Sequence, residues 1–375
     1  MMRNVPLGRP SIGPAEIAAV TEALTSGWLA HGEYNHRFEE AFARLIGVPH
    51  AISLNSCTSA LEIALAVAGI KGEVVIPSLT WVATANVCVL QGATPVFCEV
   101  DPTSRNVTAA TIAPHITPRT EAVIVVHYAG QPCAMDEIVA LCERHKLLLI
   151  EDSAETLGAT WKGRQAGAFG MGCYSFFPTK NVTTGEGGML TCRDDAYAAK
   201  ARALIAHGVS SSTFEREKVQ RPWLRAASMP GHNYRMSNIL AALGAVQLGR
   251  LDEMNAARVR IAERYTAALA PLANVIEPPA VTPGATHVWQ MYTVLAPEDR
   301  RDRMVMGLRG AGVGASVHFD PPAHLQPAYL ERGCREGMLP VTESLARRLI
   351  TLPIYPDMTD EDIDWVTGSF GRQVN

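Results

Sequence analysis

Hydrophobic positions alternate between two spacings along roughly the first 250 residues. Short apolar runs, each the length of a buried strand, recur at Ala51–Leu54, Glu73–Ile76, Pro95–Val100, Ala122–Val126, Leu147–Ile150 and Cys173–Phe176. Most of these runs are separated by stretches with helical spacing, at Ser59–Ala68, Val82–Leu90 and Met135–His145. Because short β-branched runs that alternate with helices are typical of a sheet covered on both faces, the pattern predicts an α/β fold with a mostly parallel sheet.

Two further helices are predicted before the first strand. Pro14–Ser26 opens with a proline at a first-turn position and stops at Gly27, and Ile17, Val20 and Leu24 share one of its faces. Phe38–Ile46 stops at Gly47.

The sequence pattern changes near Arg235. Ser237–Leu269 has the spacing of one long helix with at most one break, and a proline-rich segment, Glu277–Pro283, follows it. The remaining residues no longer repeat the strand–helix alternation. We therefore expect a large α/β domain over residues 1–245, sandwiched by helices on both faces of its sheet, and a smaller C-terminal α+β domain over residues 246–375.

Composition excludes several classes of function. The chain has 33 basic and 37 acidic side chains, so it lacks the basic excess that is typical of proteins that bind nucleic acid. It contains no run of 18 apolar residues and no apolar N-terminal signal region, so we expect neither membrane insertion nor export. Its eight cysteines form no CxxC pair and no zinc-type spacing, which predicts buried free thiols in the cytoplasm.

Candidate chemistry lies where the predicted strands end, because ligands of open parallel sheets bind at the carboxyl ends of the strands. Asn55–Ser59 follows the first strand and leads directly into a helix, and Ser59-x-x-Glu62 has the spacing of a capping box that begins near Thr58. Hydroxyls and free N–H groups at a helix N-terminus can bind a phosphate, but the same residues can also serve only as a cap.

Two ionisable residues follow later strands. Asp152 comes just after an apolar run, where a half-buried carboxylate needs a cationic partner, either in a structural ion pair or on a protonated heterocyclic nitrogen. Lys180 is one of only six lysines and lies between an apolar strand and the glycine-rich turn Thr183–Gly188. A lysine in such a place can act as an amine nucleophile, although a solvated loop lysine fits the pattern equally well.

These pieces together match one cofactor. Pyridoxal phosphate (PLP) requires a Schiff-base lysine, a carboxylate for its ring nitrogen and a phosphate-binding site. Trp81 follows a further strand and could cover the cofactor ring, or it could simply pack in the core. A dinucleotide-binding dehydrogenase is excluded because Asn55–Ser59 contains no glycine, whereas that class needs a GxGxxG turn after its first strand.

Over nearly its whole length the chain resembles the PLP-dependent nucleotide-sugar aminotransferases of the DegT/DnrJ type, a branch of the fold-type-I aminotransferases. The resemblance rests on a set of motifs that recur in one order: Arg9-Pro-Ser-Ile-Gly, Ser26-Gly-Trp28, Asn55–Leu61, Pro77–Asn86, His127-Tyr-Ala-Gly-Gln-Pro132, Glu151–Ala159, Ser175–Gly188, Asn233-Tyr-Arg-Met-Ser-Asn238, Val317-His-Phe-Asp-Pro-Pro and His324-Leu-Gln-Pro327.

The resemblance assigns a role to each candidate residue. Lys180 matches the Schiff-base lysine, and Asp152 matches the aspartate that keeps the pyridine nitrogen protonated. The other matches are Thr58, Ser59 and Ser175 in the phosphate cup, Trp81 on the cofactor ring, Glu155 near its phenolic oxygen, where relatives often have Gln or His, and Asn233, which in relatives reaches the partner's cofactor phosphate.

The resemblance also implies a reaction. We expect a homodimer with shared active sites that transfers an amino group from L-glutamate, through pyridoxamine phosphate (PMP), to a nucleotide-linked keto-sugar. The turn Thr183–Gly188 favours a 4-keto-6-deoxy sugar and amination at C4. We expect His318 and Phe319, on a loop stiffened by two prolines, and His324 just behind it to contact this sugar nucleotide, although His318 could equally be structural.

Two rival functions share the fold. A PMP-dependent sugar dehydratase needs the lysine to be absent, and a non-catalytic PLP-binding regulatory protein is expected to lose part of the site. Lys180, Asp152 and the predicted phosphate cup are all present, which favours the aminotransferase.

Overall fold

The computed structural model describes residues 3–209, 223 and 226–374. Its helices are α1 (Pro14–Thr25), α2 (Glu33–Ile46), α3 (Cys57–Ala68), α4 (Ala83–Leu90), α5 (Ala109–Ile112), α6 (Met135–His145), α7 (Asp195–Leu204), α8 (Asn238–Gly249), α9 (Leu251–Leu269), α10 (Glu298–Gly310), α11 (Pro327–Leu330), α12 (Pro340–Arg348) and α13 (Asp360–Val374). Its strands are β1 (His50–Leu54), β2 (Glu73–Pro77), β3 (Thr94–Cys98), β4 (Thr120–Val126), β5 (Leu148–Asp152), β6 (Thr160–Trp161), β7 (Arg164–Gln165), β8 (Met171–Ser175), β9 (Gly188–Cys192), β10 (Tyr292–Leu295) and β11 (Leu349–Leu352).

A seven-stranded sheet organises the first half of the chain, with strand order β1-β9-β8-β5-β4-β2-β3. The strands from β8 to β3 in this order run parallel to one another. Ile124 packs on one face with residues of α3, α4 and α7, whereas Val123 packs on the other face with residues of α6. The prediction of a mostly parallel sheet covered on both faces is therefore confirmed.

Within this sheet, the strand that the sequence pattern missed is β9. It runs antiparallel to both β1 and β8 and joins these two strands into one sheet. Gly188 pairs with Leu54 on one side and with Ser175 on the other. A Cβ atom at Gly188 would lie 2.3 Å from the carbonyl carbon of Ser56, so only glycine lets the start of α3 approach this closely.

Helix α1 leaves much of its apolar face exposed. Ile17 and Leu24 are 62% and 50% exposed, whereas Glu16 is buried. Its carboxylate accepts hydrogen bonds of 2.7 Å from both Arg250 and Gln247. A buried polar cluster and Ala23 hold this helix against α8.

A second buried carboxylate anchors α2, which begins at Glu33, five residues earlier than predicted. Glu39 accepts hydrogen bonds from the backbone N–H and the hydroxyl of Ser53, at 2.8 and 2.7 Å, and from Arg202 at 2.8 Å. Burial alone would raise the pKa of Glu39, but the hydrogen bond with His31 and the charge of Arg202 lower it to about 2. Glu39 therefore ties α2 to the sheet as an ionised group.

The predicted long helix is broken once, at Arg250, into α8 and α9. Residues of α9 from Ile261 onward pack with the antiparallel pair β10–β11 and with α10 and α13 in a separate C-terminal core. The domain boundary at residue 245 stays a prediction. The buried residues of α9 that pack in the C-terminal core begin later, at Ile261. None of the helices in the described ranges is long and apolar enough to cross a membrane.

Candidate active site

A cavity of about 690 Å³ lies at the carboxyl edge of the large sheet, beneath the loop 316–321. The ends of β1, β4, β5 and β8 all reach it, as the order of the strands requires. Eight of the candidate residues line this cavity: Thr58, Trp81, Asp152, Glu155, Ser175, Lys180, His318 and Phe319. The other three, Ser59, Asn233 and His324, are not among the residues that line it.

Asp152 ends β5 at the floor of the cavity and is only 6% exposed. Its carboxylate accepts hydrogen bonds from the Thr84 hydroxyl at 2.9 Å and from the Ala154 N–H at 3.2 Å, and the Cys57 thiol lies 3.9 Å away. These donors are all neutral, and burial raises the pKa of Asp152. A cation placed in the cavity would therefore complete the surroundings of this carboxylate.

The N-terminus of α3 opens onto the same cavity. The helix begins at Cys57, and its cap is Ser56, whose hydroxyl accepts from the Ser59 N–H at 3.1 Å. The predicted capping box at Ser59 is therefore shifted, and the Ser59 hydroxyl donates to Asn55 at 2.7 Å instead of facing the cavity. Ser56 takes its place in the lining beside Thr58. The first N–H groups of a helix such as α3 form a ready site for an anion.

Lys180 lies on the turn that follows β8, and its side chain is 17% exposed. Its amine lies 3.3 Å from one carboxylate oxygen of Glu155. The neighbouring turn is fixed from both sides, because the Asn181 amide donates to Asn255 and to the Val288 carbonyl. The lysine amine is thereby held in the cavity between Glu155 and the end of the sheet.

Aromatic side chains cover the opposite wall. Trp81 is 62% exposed, and its ring centroid lies 6.1 Å from that of Phe319. The Tyr128 hydroxyl donates to the carbonyl oxygen of His318, which fixes the loop over the cavity. The Nδ1 atom of His318 pairs with the Thr351 hydroxyl at 2.9 Å, and burial lowers the pKa of its ring.

His324 does not reach the cavity, so the expectation that it contacts substrate is corrected. The residue is fully buried, and its ring joins the Ser78 hydroxyl at 2.6 Å to Glu343 at 3.1 Å. Glu343 also accepts the N–H groups of Gly337 and Leu339. Each polar atom of this chain of contacts has a partner, so His324 holds the loop 323–339 to the end of β2.

Asn233 lies on the surface, outside the cavity of its own chain. Its side-chain oxygen accepts hydrogen bonds from Arg235, at 2.9 and 3.2 Å, and its backbone pairs with Ala206. Such a position fits the expectation that it serves the site of a partner chain, which stays a prediction.

Comparison with known proteins identifies the family of this chain. Residues 10–370 match the model of the DegT/DnrJ/EryC1/StrS aminotransferase family. The spore coat polysaccharide biosynthesis protein SpsC of Bacillus subtilis (strain 168) is 39% identical over 369 residues, which cover 96% of this chain and 94% of SpsC. The chain belongs to the DegT/DnrJ/EryC1/StrS aminotransferase family. It is therefore an aminotransferase, as the motifs predicted.

Solved structures of family members share the whole fold. The aminotransferase TlmJ from Streptoalloteichus hindustanus is 35% identical with a TM-score of 0.92, and the match covers 99% of both chains. Spr1654 from Streptococcus pneumoniae, solved in a PMP-form, is 27% identical with a TM-score of 0.93, again over 99% of both chains. A PLP-form of Spr1654 matches with a TM-score of 0.92. The family is PLP-dependent, in agreement with the expected cofactor.

The residues of this family member fit PLP on structural grounds. Asp152 is a buried carboxylate whose donors are all neutral, Lys180 supplies an amine, and the start of α3 with Thr58 and Ser175 supplies donors for a phosphate. Trp81 is an exposed aromatic ring on the wall of the same cavity. Asp152 could therefore bind a charged ring nitrogen, Lys180 could react with an aldehyde, and the start of α3 could bind a phosphate.

Several lining residues were absent from the sequence-based selection. Ser56 is the N-cap of α3, which we expected to begin near Thr58. Its sequence position two residues before Thr58 is the signal that could have identified Ser56. Thr84 lies one turn after Trp81 within the motif Pro77–Asn86, and its contact with Asp152 depends on the packing of α4 against the sheet. Gln290 also lines the cavity, and its local sequence gives no signal of that.

Proposed function

We propose that the protein transfers the amino group of L-glutamate to a nucleotide-linked keto-sugar and that its preferred acceptor is a 4-keto-6-deoxy sugar aminated at C4. The observation that carries this proposal is the presence of the Lys180 amine, the Asp152 carboxylate and the N-terminus of α3 on one cavity in a family of aminotransferases. SpsC, which serves polysaccharide biosynthesis, supports a sugar as the acceptor.

PLP, when bound, supplies an electron sink and carries the amino group between the two half-reactions. Asp152 would hold a positive charge on the ring nitrogen, because a buried carboxylate without a cationic partner favours a cation at this point. Thr58 and Ser175, with the first N–H groups of α3, would bind the phosphate. Trp81 would supply the aromatic surface that covers the ring.

Lys180 is the residue that moves the proton. Its amine lies in the cavity on the turn that follows β8, and once it is free it would take a proton from the α-carbon of the substrate and deliver it to the C4′ atom of the cofactor. A dehydratase reaction requires this lysine to be absent, and a regulatory protein has no need of it. The presence of the lysine inside the cavity favours transamination over both rivals.

The loop 316–321 provides the groups that face the sugar. A volume of about 690 Å³ lies within the range of pockets that bind small molecules and cofactors. Phe319 offers an aromatic face, and His318 offers a ring whose other nitrogen is fixed by Thr351. We assign substrate contacts to His318 and Phe319, and we no longer assign one to His324.

We also propose a two-fold dimer in which Asn233 completes the phosphate site of the partner. Asn233 is exposed and lies outside its own cavity, which suits a contribution in trans. Separately, the exposed apolar side chains Ile12, Ile17, Leu24 and Leu29 in and around α1 support an interface that involves α1.

The test of this function begins with the glutamate half-reaction. The purified enzyme should be yellow, should lose its colour with L-glutamate and should release 2-oxoglutarate in proportion. Borohydride should then fix the cofactor to the peptide that contains Lys180, and a label on another lysine would overturn the assignment. The bleached enzyme should next be mixed with a panel of UDP-, dTDP- and GDP-linked keto-sugars. Failure of every sugar to restore the colour would exclude the proposed acceptor class.

A further inference from the structure

Glu155 forms a buried ion pair with Lys180 whose geometry is set by the backbone. The side chain of Glu155 is 8% exposed, and one of its oxygens lies 3.3 Å from the lysine amine. The other oxygen accepts the N–H of Ala129 at 2.8 Å. Both carboxylate oxygens are therefore occupied, one by the catalytic lysine and one by the main chain.

The turn that supplies this N–H is held in an unfavourable conformation. Ala129 has a φ of 60°, in the left-handed region that residues with a Cβ atom rarely adopt. Its carbonyl oxygen accepts from Met291 at 3.1 Å, and the carbonyl oxygen of Gly130 accepts from Val288 at 3.0 Å. The segment 288–291 thus clamps the turn from the other side. Strain that is maintained in this way aims the Ala129 N–H at Glu155 and gives the carboxylate a fixed place.

Few other charges act on this pair. The remaining ionisable neighbours are Cys57 at the start of α3, Asp152 on β5, His318 on the cavity loop and Tyr128 on the strained turn. Two more carboxylates, those of Glu186 and Asp320, line the cavity, and Asp320 is paired with Arg301. Among the described residues, Glu155 is the carboxylate within ion-pair distance of the Lys180 amine.

We propose that Glu155 is the positioning residue for Lys180 and that it holds the lysine amine at the cavity wall whenever that amine is free during turnover. A free amine on a flexible four-carbon side chain would otherwise sample many positions, and the ion pair returns it to one. No bond is made or broken by Glu155 itself. The inference rests on the proposed function, because it requires a lysine that is released and recaptured.

The test compares the reactivity of Lys180 between wild type and Glu155→Gln. Both proteins are loaded directly with PMP, so that the lysine is free. Brief treatment with acetic anhydride, followed by peptide mass spectrometry, gives the acetylation rate of Lys180 relative to the exposed Lys146 in the same molecule. Glu155→Gln keeps the shape of the side chain and an acceptor for Ala129 but removes the charge. We expect Lys180 to react about tenfold faster in this variant, which corresponds to the loss of one charge-assisted contact. Glu186→Gln removes a carboxylate from the same cavity and should leave the relative rate at the wild-type value.

An equal relative rate in wild type and Glu155→Gln would overturn the proposal. So would a crystal structure of the wild-type PMP-form in which the Lys180 amine lies away from Glu155; a distance below about 3.5 Å would support it. The second measurement needs no variant and stands even if Glu155→Gln fails to fold. Both use enzyme loaded with PMP, so they remain decisive if wild type fails to bleach with glutamate, a result that would refute only the proposed donor.

Discussion

Glu151 offers the sharpest test of the packing beneath the active site. It precedes Asp152 on β5 and is fully buried on the opposite face of the sheet. One carboxylate oxygen accepts the N–H groups of Phe169 and Gly170, at 2.7 and 2.6 Å. The other accepts the N–H of Gly167 at 2.8 Å and pairs with His127 at 3.0 Å. This single side chain thus binds four groups and fixes the loop that leads into β8.

Replacement of Glu151 by Gln turns one of its acceptors into a donor. Whichever oxygen becomes the amide nitrogen, two donors then face it without a partner. His127 cannot relieve this by exchanging its ring proton, because its Nδ1 atom already accepts the N–H of Cys133 at 3.1 Å. Each unsatisfied buried donor costs about 1–3 kcal/mol, so we expect Glu151→Gln to lower the free energy of unfolding by about 2–6 kcal/mol.

The assay is urea unfolding followed by circular dichroism at one protein concentration. Glu121→Gln is the matched control, because Glu121 also accepts two backbone N–H groups, those of Lys71 and Gly72 at 2.8 Å, but lies at the surface. Water can satisfy the donors that this control leaves, so its cost should stay within about 1 kcal/mol. If the two variants lose equal free energy of unfolding, burial does not make the hydrogen bonds of Glu151 more costly to remove than those of Glu121.

Three more predictions concern stability at low pH, the sugar and the dimer. The pKa of Glu39 is lowered from 4.5 to about 2, so Glu39 contributes about 3 kcal/mol to the free energy of unfolding above pH 4.5. This contribution disappears as the pH falls towards 2. In urea titrations at several pH values, Glu39→Gln should lower the free energy of unfolding at pH 7 and weaken its dependence on pH. His318→Ala should raise KM for the keto-sugar or lower its turnover while the glutamate half-reaction, followed by absorbance, stays near wild type; equal loss in both would indicate a structural role. Mixed Lys180→Ala and Asn233→Ala chains should recover activity that neither has alone, and heterodimers that form without rescue would contradict shared sites.

Most of the large sheet could be predicted because its strands are short, apolar and separated by helices. The exception is β9, whose sequence Gly188-Met-Leu-Thr-Cys192 follows a glycine-rich turn and mixes polar with apolar residues. Its partner β8 precedes it by one turn, but its other partner, β1, is remote in sequence, so pairing on both sides rather than local propensity makes it a strand. Sequence periodicity is a local signal, and it cannot report the pairing of β9 with β1.

The packing of α1 shows the same limit. Periodicity identifies an apolar face on this helix but does not say what that face contacts. The helix instead buries Glu16, since Arg250 and Gln247 lie more than 200 positions along the chain and satisfy its carboxylate. Nothing near Glu16 in the sequence announces those partners. The apolar face that remains exposed is the part of the pattern that a second subunit would explain.

The candidate site was easier to predict than the contacts that hold it together. Lys180, Asp152 and Trp81 follow strand ends, and strand ends of a parallel sheet converge whatever the detailed packing. The exact hydroxyl at the start of α3 depends on which serine caps the helix, and Ser56 and Ser59 differ there by one turn. His324 shows the converse case, because Ser78 and Glu343 satisfy its ring from distant parts of the chain. Residues that take part in chemistry could be predicted from their type and from their position after a strand. The residues that support them depend on contacts with distant parts of the chain, and only the folded chain reveals those contacts.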